Sequence, residues 1–511
     1  MSASRIRLNM LIAAAALTLC LGGPNVSRAA DPAPTPPVLD RKLRATLIDS
    51  LCANVMRNYV EADTAKMIVD YVHSRLKAGA YDALTSVNLF AEAVTKDLRH
   101  VNGDLHLSLR YDPNGRIPNG GAVIMRGPGP AGPDGGPQVV RRVVGGGDGA
   151  AGTTPAAGGP GGPQVVRRVI GGPGGADAGP CGPGGAQGLP PQFLRDAITH
   201  NFGLGHAEIL PGNVGYLEIT GFMGAPGSDE AIAAALHFLE HTDAIILDVR
   251  RNPGGNGQMS HMLFSHFLPA TPVPTIRVKS RIEGLSREQT SFAEVPGPRR
   301  TDVPLWVLTS RGTGSAAEEF SFVLKNLGRA TLVGDRTGGA GHMVQGFPLV
   351  DGFVAGVSIT RVSDPRTGRE WEGIGVQPDV KVEPERALAV AHAAALRKLI
   401  AAADDPARKH SLEMTLEWVE ARDRPVAQDA SRLAALVGSY EGEREARLVD
   451  GHLEFRRGPR MASALVALGS DRFSMDGTAR LEFAAGSPSP SVTIEQTDGT
   501  RTTYARVPAG P

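Results

Sequence analysis

The sequence predicts an α/β core, with a small helical unit before it and a small β domain after it. Three observations carry this. Before Arg99, apolar residues recur at three- and four-residue steps, and between Phe193 and about Ala403 short apolar runs alternate with helical ones. Over the last part of the chain, short alternating runs are separated by Asp-Gly pairs.

The helical unit is read over 38–112. Leu47, Ile48, Leu51, Cys52, Val55, Met56, Tyr59 and Val60 mark one helix face, and Met67, Ile68, Tyr71, Val72 and Leu76 a second. A third, with Leu89, Phe90, Val94 and Leu98, follows a cap at Thr85 or Ser86. In the core, read over 193–403, strands are expected at 212–222, 243–250, 304–310 and 331–335. Helices are expected at 228–242, capped by Ser228, and from 316. Strands alternating with helices imply crossover units and a largely parallel sheet. A short helical stretch including Leu412 to Val419 leads to a β domain read over 430–508, where Asp450-Gly451, Asp476-Gly477 and Asp498-Gly499 supply the turns.

Two stretches stand apart. Arg5 and Arg7, the apolar run Met10 to Leu21 and the small residues Ser27, Ala29 and Ala30 read as a secretory signal over 1–29. Its apolar part is shorter than a spanning helix needs, so no membrane span is expected after cleavage. Bulky Leu19 before Cys20 does not suit a lipoprotein site. An exported protein, periplasmic or secreted, is the expectation. Between 113 and 191 the chain is rich in Gly, Pro and Ala, and GGPQVVRRV occurs at both 135–143 and 161–169. Such a tract buries too little apolar surface to offset its ordering entropy, so a disordered insertion is expected.

The bulk numbers exclude more than they suggest. With 53 basic and 53 acidic residues, the chain carries no global field that would favour nucleic acid. Removal of the leader leaves Cys52 and Cys181, too few for a disulfide framework or a thiolate metal site. There is no phosphate loop and no His/Cys group at metal-ligand spacing, so neither cofactor nor metal is expected.

Chemistry is suggested at two places. In TSRGTGSAAEEF, residues 309–320, Ser315 sits between a strand and a helix, and the following amides favour developing negative charge. An ordinary N-cap serine would read the same way. In DVRRNPGGNG, residues 248–257, Gly254 and Gly255 allow close backbone approach, so an amide there could complete an oxyanion hole with that of Ala316. A plain Pro-Gly-Gly turn is the alternative.

Taken together with LPGNVGYLEITGF, LVGDRTGGAG and GIGVQPDV, these segments resemble the carboxyl-terminal processing peptidases, the tricorn core and the interphotoreceptor retinoid-binding protein repeats, over roughly Phe193 to Glu383. The resemblance implies a crotonase-like (ClpP-like) spiral core and a serine peptidase acting on a protein or peptide substrate. The processing peptidases place a lysine where Ala340 stands here, and Lys325 reads as a surface residue. The tricorn-like branch implies instead a histidine and a glutamate, whose counterparts are His106 in NGDLHLSLRY and Glu372 in WEGIGVQPDV. Tricorn has a serine immediately before its histidine; Leu105 stands there, so Ser108 or water would have to link His106 to Glu372. His100 and His342 are rivals for the base, and Glu318 and Glu319 read as charges favouring a helix N-terminus. The tract at 113–191 fills the usual place of a PDZ domain. A noncatalytic binding protein on the same fold, or an envelope interaction protein, is the alternative function. The sequence leaves the oligomeric state open.

Overall fold

The computed structural model describes residues 36–112, 189, 191–281, 284–486 and 490–508. The expected leader over 1–29 and nearly all of the expected insertion over 113–191 lie outside these residues. The chain begins its regular structure with α1 (Arg41–Asn58), α2 (Ala62–Lys77), α3 (Val87–Arg99) and β1 (Ser108–Tyr111). The next elements are α4 (Pro191–Thr199), β2 (Leu204–Leu210), β3 (Val214–Ile219), α5 (Ser228–Phe238), β4 (Ala244–Asp248) and α6 (Gly257–Ser265). Then come β5 (Pro274–Ser280), β6 (Leu285–Thr290), β7 (Leu305–Thr309), α7 (Ala316–Asn326), β8 (Thr331–Gly334) and β9 (Met343–Pro348). After β10 (Phe353–Ser363) and β11 (Val380–Lys381) follow α8 (Ala387–Ala402), α9 (Pro406–Asp423) and α10 (Ala430–Leu436).

The central sheet has the order β11-β8-β7-β4-β3-β2. All its pairings are parallel except that of β2 with β3. Strands β4 (AIILD) and β7 (LWVLT) are buried throughout, as continuous apolar runs covered on both faces must be. Successive side chains serve opposite faces. Ile245 and Leu247 pack with Ile232 of α5, Phe264 of α6 and Phe320 of α7, whereas Ala244 and Ile246 pack with Ala391 and Leu396 of α8 and Leu412 of α9. Burying each such Ile or Leu is worth about 1.5–3 kcal/mol. The expected cap of α5 differs: Ser228 is its first helical residue, and the cap is Gly227 at φ 98°.

Ser86 caps α3, accepting a hydrogen bond from the Leu89 amide, and Asp40 caps α1 in the same way from Leu43. Helices α1 to α3 bury their apolar faces against the second sheet, in one cluster with Phe353, Ala355 and Val357 of β10. In that sheet β1 pairs antiparallel with β10, which also pairs with β5 and β9. The pairing carries the segment before Ser108 onto the core.

The C-terminal strands are β12 (Gly438–Tyr440), β13 (Arg444–Val449), β14 (His452–Arg457), β15 (Ser463–Ala464), β16 (Val466–Ala467), β17 (Arg472–Met475), β18 (Ala479–Ala484), β19 (Ser491–Gln496) and β20 (Arg501–Ala505). They form an antiparallel meander that closes on itself, because the Glu441 and Val507 amides donate to Ala505 and Ser439. Asp450-Gly451 and Asp476-Gly477 both take positive φ, as tight hairpin turns require. At the third turn only Gly499 does. Among the described residues, no helix is long and apolar enough to cross a membrane.

Candidate active site

The loops that leave the C-terminal ends of the adjacent parallel strands β3, β4, β7 and β8 meet at Ser315. Asp248 ends β4 and is 3% exposed. It accepts hydrogen bonds from Tyr216 Oη (2.8 Å), the Arg250 amide (3.0 Å) and the Arg250 guanidinium (2.6 Å), which pins the chain entering Asn252-Pro253-Gly254-Gly255. That loop is stitched to the one after β7. Ser310 Oγ donates to Arg250 O (2.6 Å), Thr313 Oγ1 to Val249 O (2.8 Å), and the Gly314 amide to Asn252 O (3.0 Å).

Ser315 is the N-cap of α7, at φ 50° and ψ −119°. A non-glycine residue is rarely held there, and the sharp strand-to-helix turn lifts the side chain clear of the backbone. Gly254, at φ 111°, lies directly beneath: a Cβ on it would stand 2.7 Å from Ser315 Cβ. Its amide is already donated to Asn252 Oδ1 (2.8 Å). The amides of Gly255 and Ala316 make no hydrogen bond within the described residues, so these two are available to an oxyanion. Of the expected trio, Gly254 therefore supplies room, not a donor.

The acidic residues of α7 lie in its first turn, where they were expected to favour the helix N-terminus, and both are buried. Glu318 is fully buried and Glu319 is 8% exposed. The Glu318 carboxylate accepts from the Ser315 amide (2.9 Å), Thr337 Oγ1 (2.5 Å), the Gly339 amide (2.6 Å) and the Ala340 amide (2.7 Å). It thereby fixes the strained turn to the loop after β8. Burial raises its pKa, against the opposing pull of those four donors. Burial alone pushes Glu319 up to about 7. Lys325 pairs with Asp379 (2.8 Å) and donates to Gln377 O (2.7 Å), away from this carboxylate.

The loop after β8 continues to His342. The Glu372 carboxylate accepts from the amides of Gly341 (2.6 Å) and His342 (2.7 Å) through one oxygen, and its other oxygen is buried without a partner. The His342 ring is bonded at Nδ1 to Asp104 Oδ2 (3.1 Å) and stands 3.8 Å from Glu372. Asp104 is fully buried and also accepts from Tyr59 Oη (3.0 Å) and the His106 amide (2.9 Å), while His106 Nδ1 lies 3.8 Å from its other oxygen. The carboxylate facing His106 is thus Asp104, and Glu372 serves His342. Ser108 sits at the β1–β10 pairing opposite Gly356. Among the described residues, no hydrogen bond joins the His106 ring to the Ser315 hydroxyl, and His106 Nδ1 is buried without a partner. The His100 ring stacks on that of Tyr71 with centroids 4.5 Å apart, away from Ser315, and among the described residues only its backbone amide is bonded, to Asp97 O (3.2 Å).

The electrostatics divide the two imidazoles. Burial lowers the pKa of His106, and Asp104 only partly opposes it. Burial also acts against protonated His342, but the Asp104 hydrogen bond and the charge of Glu372 outweigh it, so its pKa is raised. Burial, then the Asp104 charge, push Glu372 up to about 7, and Asp104 itself is held well below the usual carboxylate range by its donors and His342. Asp104, His342 and Glu372 place one ligating atom each within 4.8 Å of one another. His342 Nδ1 is hydrogen-bonded to Asp104 Oδ2 and one Glu372 oxygen takes two backbone amides, while the second Glu372 oxygen is left without a partner.

Asp104, His342, Glu318 and Tyr59 escaped the sequence reading as partners. Asp104 stands two residues before His106, a spacing that alone fits many turns. Their association depends on the β1–β10 pairing, which no local pattern announces.

Residues 213–382 match the family described as peptidase family S41. These residues carry a likeness to a peptidase family. The chain is 34% identical over 174 residues to the carboxyl-terminal-processing protease of Synechocystis sp., covering 34% of this chain and 38% of that protein. The carboxy-terminal processing protease CtpB of Bacillus subtilis is 28% identical over 173 residues, covering 34% of each. Among solved structures, a photosystem II D1 C-terminal processing protease is similar at 27% identity with a TM-score of 0.29, over 34% of this chain and 43% of that one. The matched region is well under half the length of these relatives.

Proposed function

We propose that the protein is an exported serine peptidase that hydrolyses peptide bonds through an acyl-enzyme on Ser315, with His106 as general base. Ser315 Oγ attacks the scissile carbonyl and gives its proton to His106; the oxyanion is met by the Gly255 and Ala316 amides. His106 returns the proton to the leaving amine, then takes one from the water that hydrolyses the ester. The supporting observation is the turn itself: a non-glycine residue held at positive φ over a glycine, beside two amides without protein acceptors. Catalytic hydrogen bonds tighten on substrate binding, so the missing Ser315–His106 hydrogen bond in the free protein is compatible with this role.

The crotonase-like spiral, the lack of a PDZ domain and export to the periplasm or medium belong to the same reading, with exported or envelope proteins as the substrate class. Wild type, Ser315→Ala and His106→Ala proteins incubated with an unfolded protein mixture test it by mass spectrometry of new termini. New termini are expected with wild type alone. Equal cleavage by folded Ser315→Ala would remove Ser315 from the reaction.

A further inference from the structure

Two imidazoles share one buried carboxylate beside this site, and the mechanism above uses only one of them. His342 contacts Asp104 Oδ2, and His106 faces Asp104 Oδ1 with its backbone amide and, at 3.8 Å, with Nδ1. The Nδ1 of His106 is buried and has no hydrogen-bond partner. Glu372 grips the His342 backbone and lies 3.8 Å from its ring, so the ring is set between two carboxylates. Tyr59 closes the remaining side: its hydroxyl donates to Asp104 and accepts from Asn102, and its ring meets that of His342 edge to face at 6.3 Å.

We propose that His342 is a positioning residue: protonated between Asp104 and Glu372, it holds the Asp104 carboxylate in place and keeps His106 a neutral base. This rests on the reading of Ser315 and His106 given above. A buried carboxylate facing a lone imidazole would stabilise its cation and raise its pKa. Here the charge of Asp104 is already met by His342, and a second cation would be repelled by the first. The charged groups acting on His106 are Asp104, which favours its protonation, and His342 and Arg99, which oppose it. Those acting on His342 are Asp104, Glu372 and Glu370, all favouring protonation. The asymmetry follows from the geometry. His342 stands among carboxylates, whereas His106 shares Asp104 with two cations, and a base for the serine proton must be neutral to accept it.

The test reads the nucleophile directly with a fluorophosphonate, whose fluoride leaves as the Ser315 oxygen bonds to phosphorus. Labelling rates would be measured from pH 5 to 9 for wild type, His342→Gln and His106→Gln. In His342→Gln the pH of half-maximal rate is expected to rise by about 0.5–1 unit, because the opposing cation is gone and Asp104 acts on His106 alone. The high-pH rate is expected to stay within about tenfold of wild type, whereas His106→Gln labels poorly at every pH. An unchanged half-maximum overturns the proposal, as does labelling that survives in His106→Gln and vanishes in His342→Gln, which would make His342 the base. Should His342→Gln fail to fold or to label, the ring-proton NMR titrations of wild type decide, assigned with His106→Gln. His342 is expected to titrate above the ordinary histidine value and His106 below it, and the reverse order overturns the proposal. Wild type that never labels defeats the Ser315 reading instead, and leaves the NMR order still readable.

Discussion

Ser315 holds a conformation that L-residues avoid, with φ 50° and ψ −119°. The strain is sustained by neighbours: Glu318 takes the Ser315 amide, and Gly254 vacates the space below. Strained residues of this kind cost about 1–3 kcal/mol and persist where the surroundings over-determine them. Glycine tolerates such dihedrals, though its freer unfolded chain returns part of the gain. Ser315→Gly is therefore expected to stabilise the protein by about 0.5–2 kcal/mol in urea unfolding while abolishing fluorophosphonate labelling. At an ordinary helix N-cap the same change would lose a few tenths of a kcal/mol. A loss of stability here would show that the turn is relaxed.

At the scale of elements, the site is an intersection of loops after β3, β4, β7 and β8 with the segment that β1 carries in. The loop after β4 must pass within van der Waals distance of the nucleophile turn, and Gly254 is where it does so. Gly254→Ala adds a Cβ at a positive φ, 2.7 Å from Ser315 Cβ and 2.8 Å from Gly314 O. We expect a destabilisation of about 2–4 kcal/mol and a labelling rate reduced at least tenfold, measured on the fraction that remains folded. Most of these elements were legible. The buried runs of β4 and β7, the Ser86 cap and the Asp450-Gly451 turn are local patterns, and local patterns carry their own physics. The motif glycines and Ser315 were legible for the same reason. Hidden from the sequence were Glu318, whose four donors come mostly from a loop some twenty residues on, and the Asp104–His342 pair, 238 residues apart. Helices α1 to α3 likewise gave no sign that they would share a core with β10. Contacts of that kind are set by pairing between distant strands, to which propensity and periodicity are blind.

For the molecule as a whole, the buried ionisable groups pull stability in opposite directions as pH changes. Burial pushes Glu319 up to about 7 against an ordinary 4.5, so the native state holds a proton that the unfolded chain has lost, and stability falls as pH rises between those values. His261 and His266, whose rings bond to the carbonyls of Thr290 and Pro298, are pushed by burial down to about 4 from 6.5. For them the unfolded chain binds the extra protons, and stability falls as pH drops from 6.5 toward 4. The two windows overlap, and the two slopes oppose each other. Glu319 lends itself to separating the terms, because burial is the cause of its shift and its carboxylate has no hydrogen-bond or ion-pair partner among the described residues. In Glu319→Gln the histidine slope is left less opposed. Relative to wild type, the variant should be less stable at pH 5 than at pH 6.5, by on the order of 2 kcal/mol for ~1.5 pH units at 1.36 kcal/mol per unit. A difference between variant and wild type that is the same at both pH values would mean that Glu319 is ionised in the native protein, and that a cation or water reaches it beside the nucleophile helix.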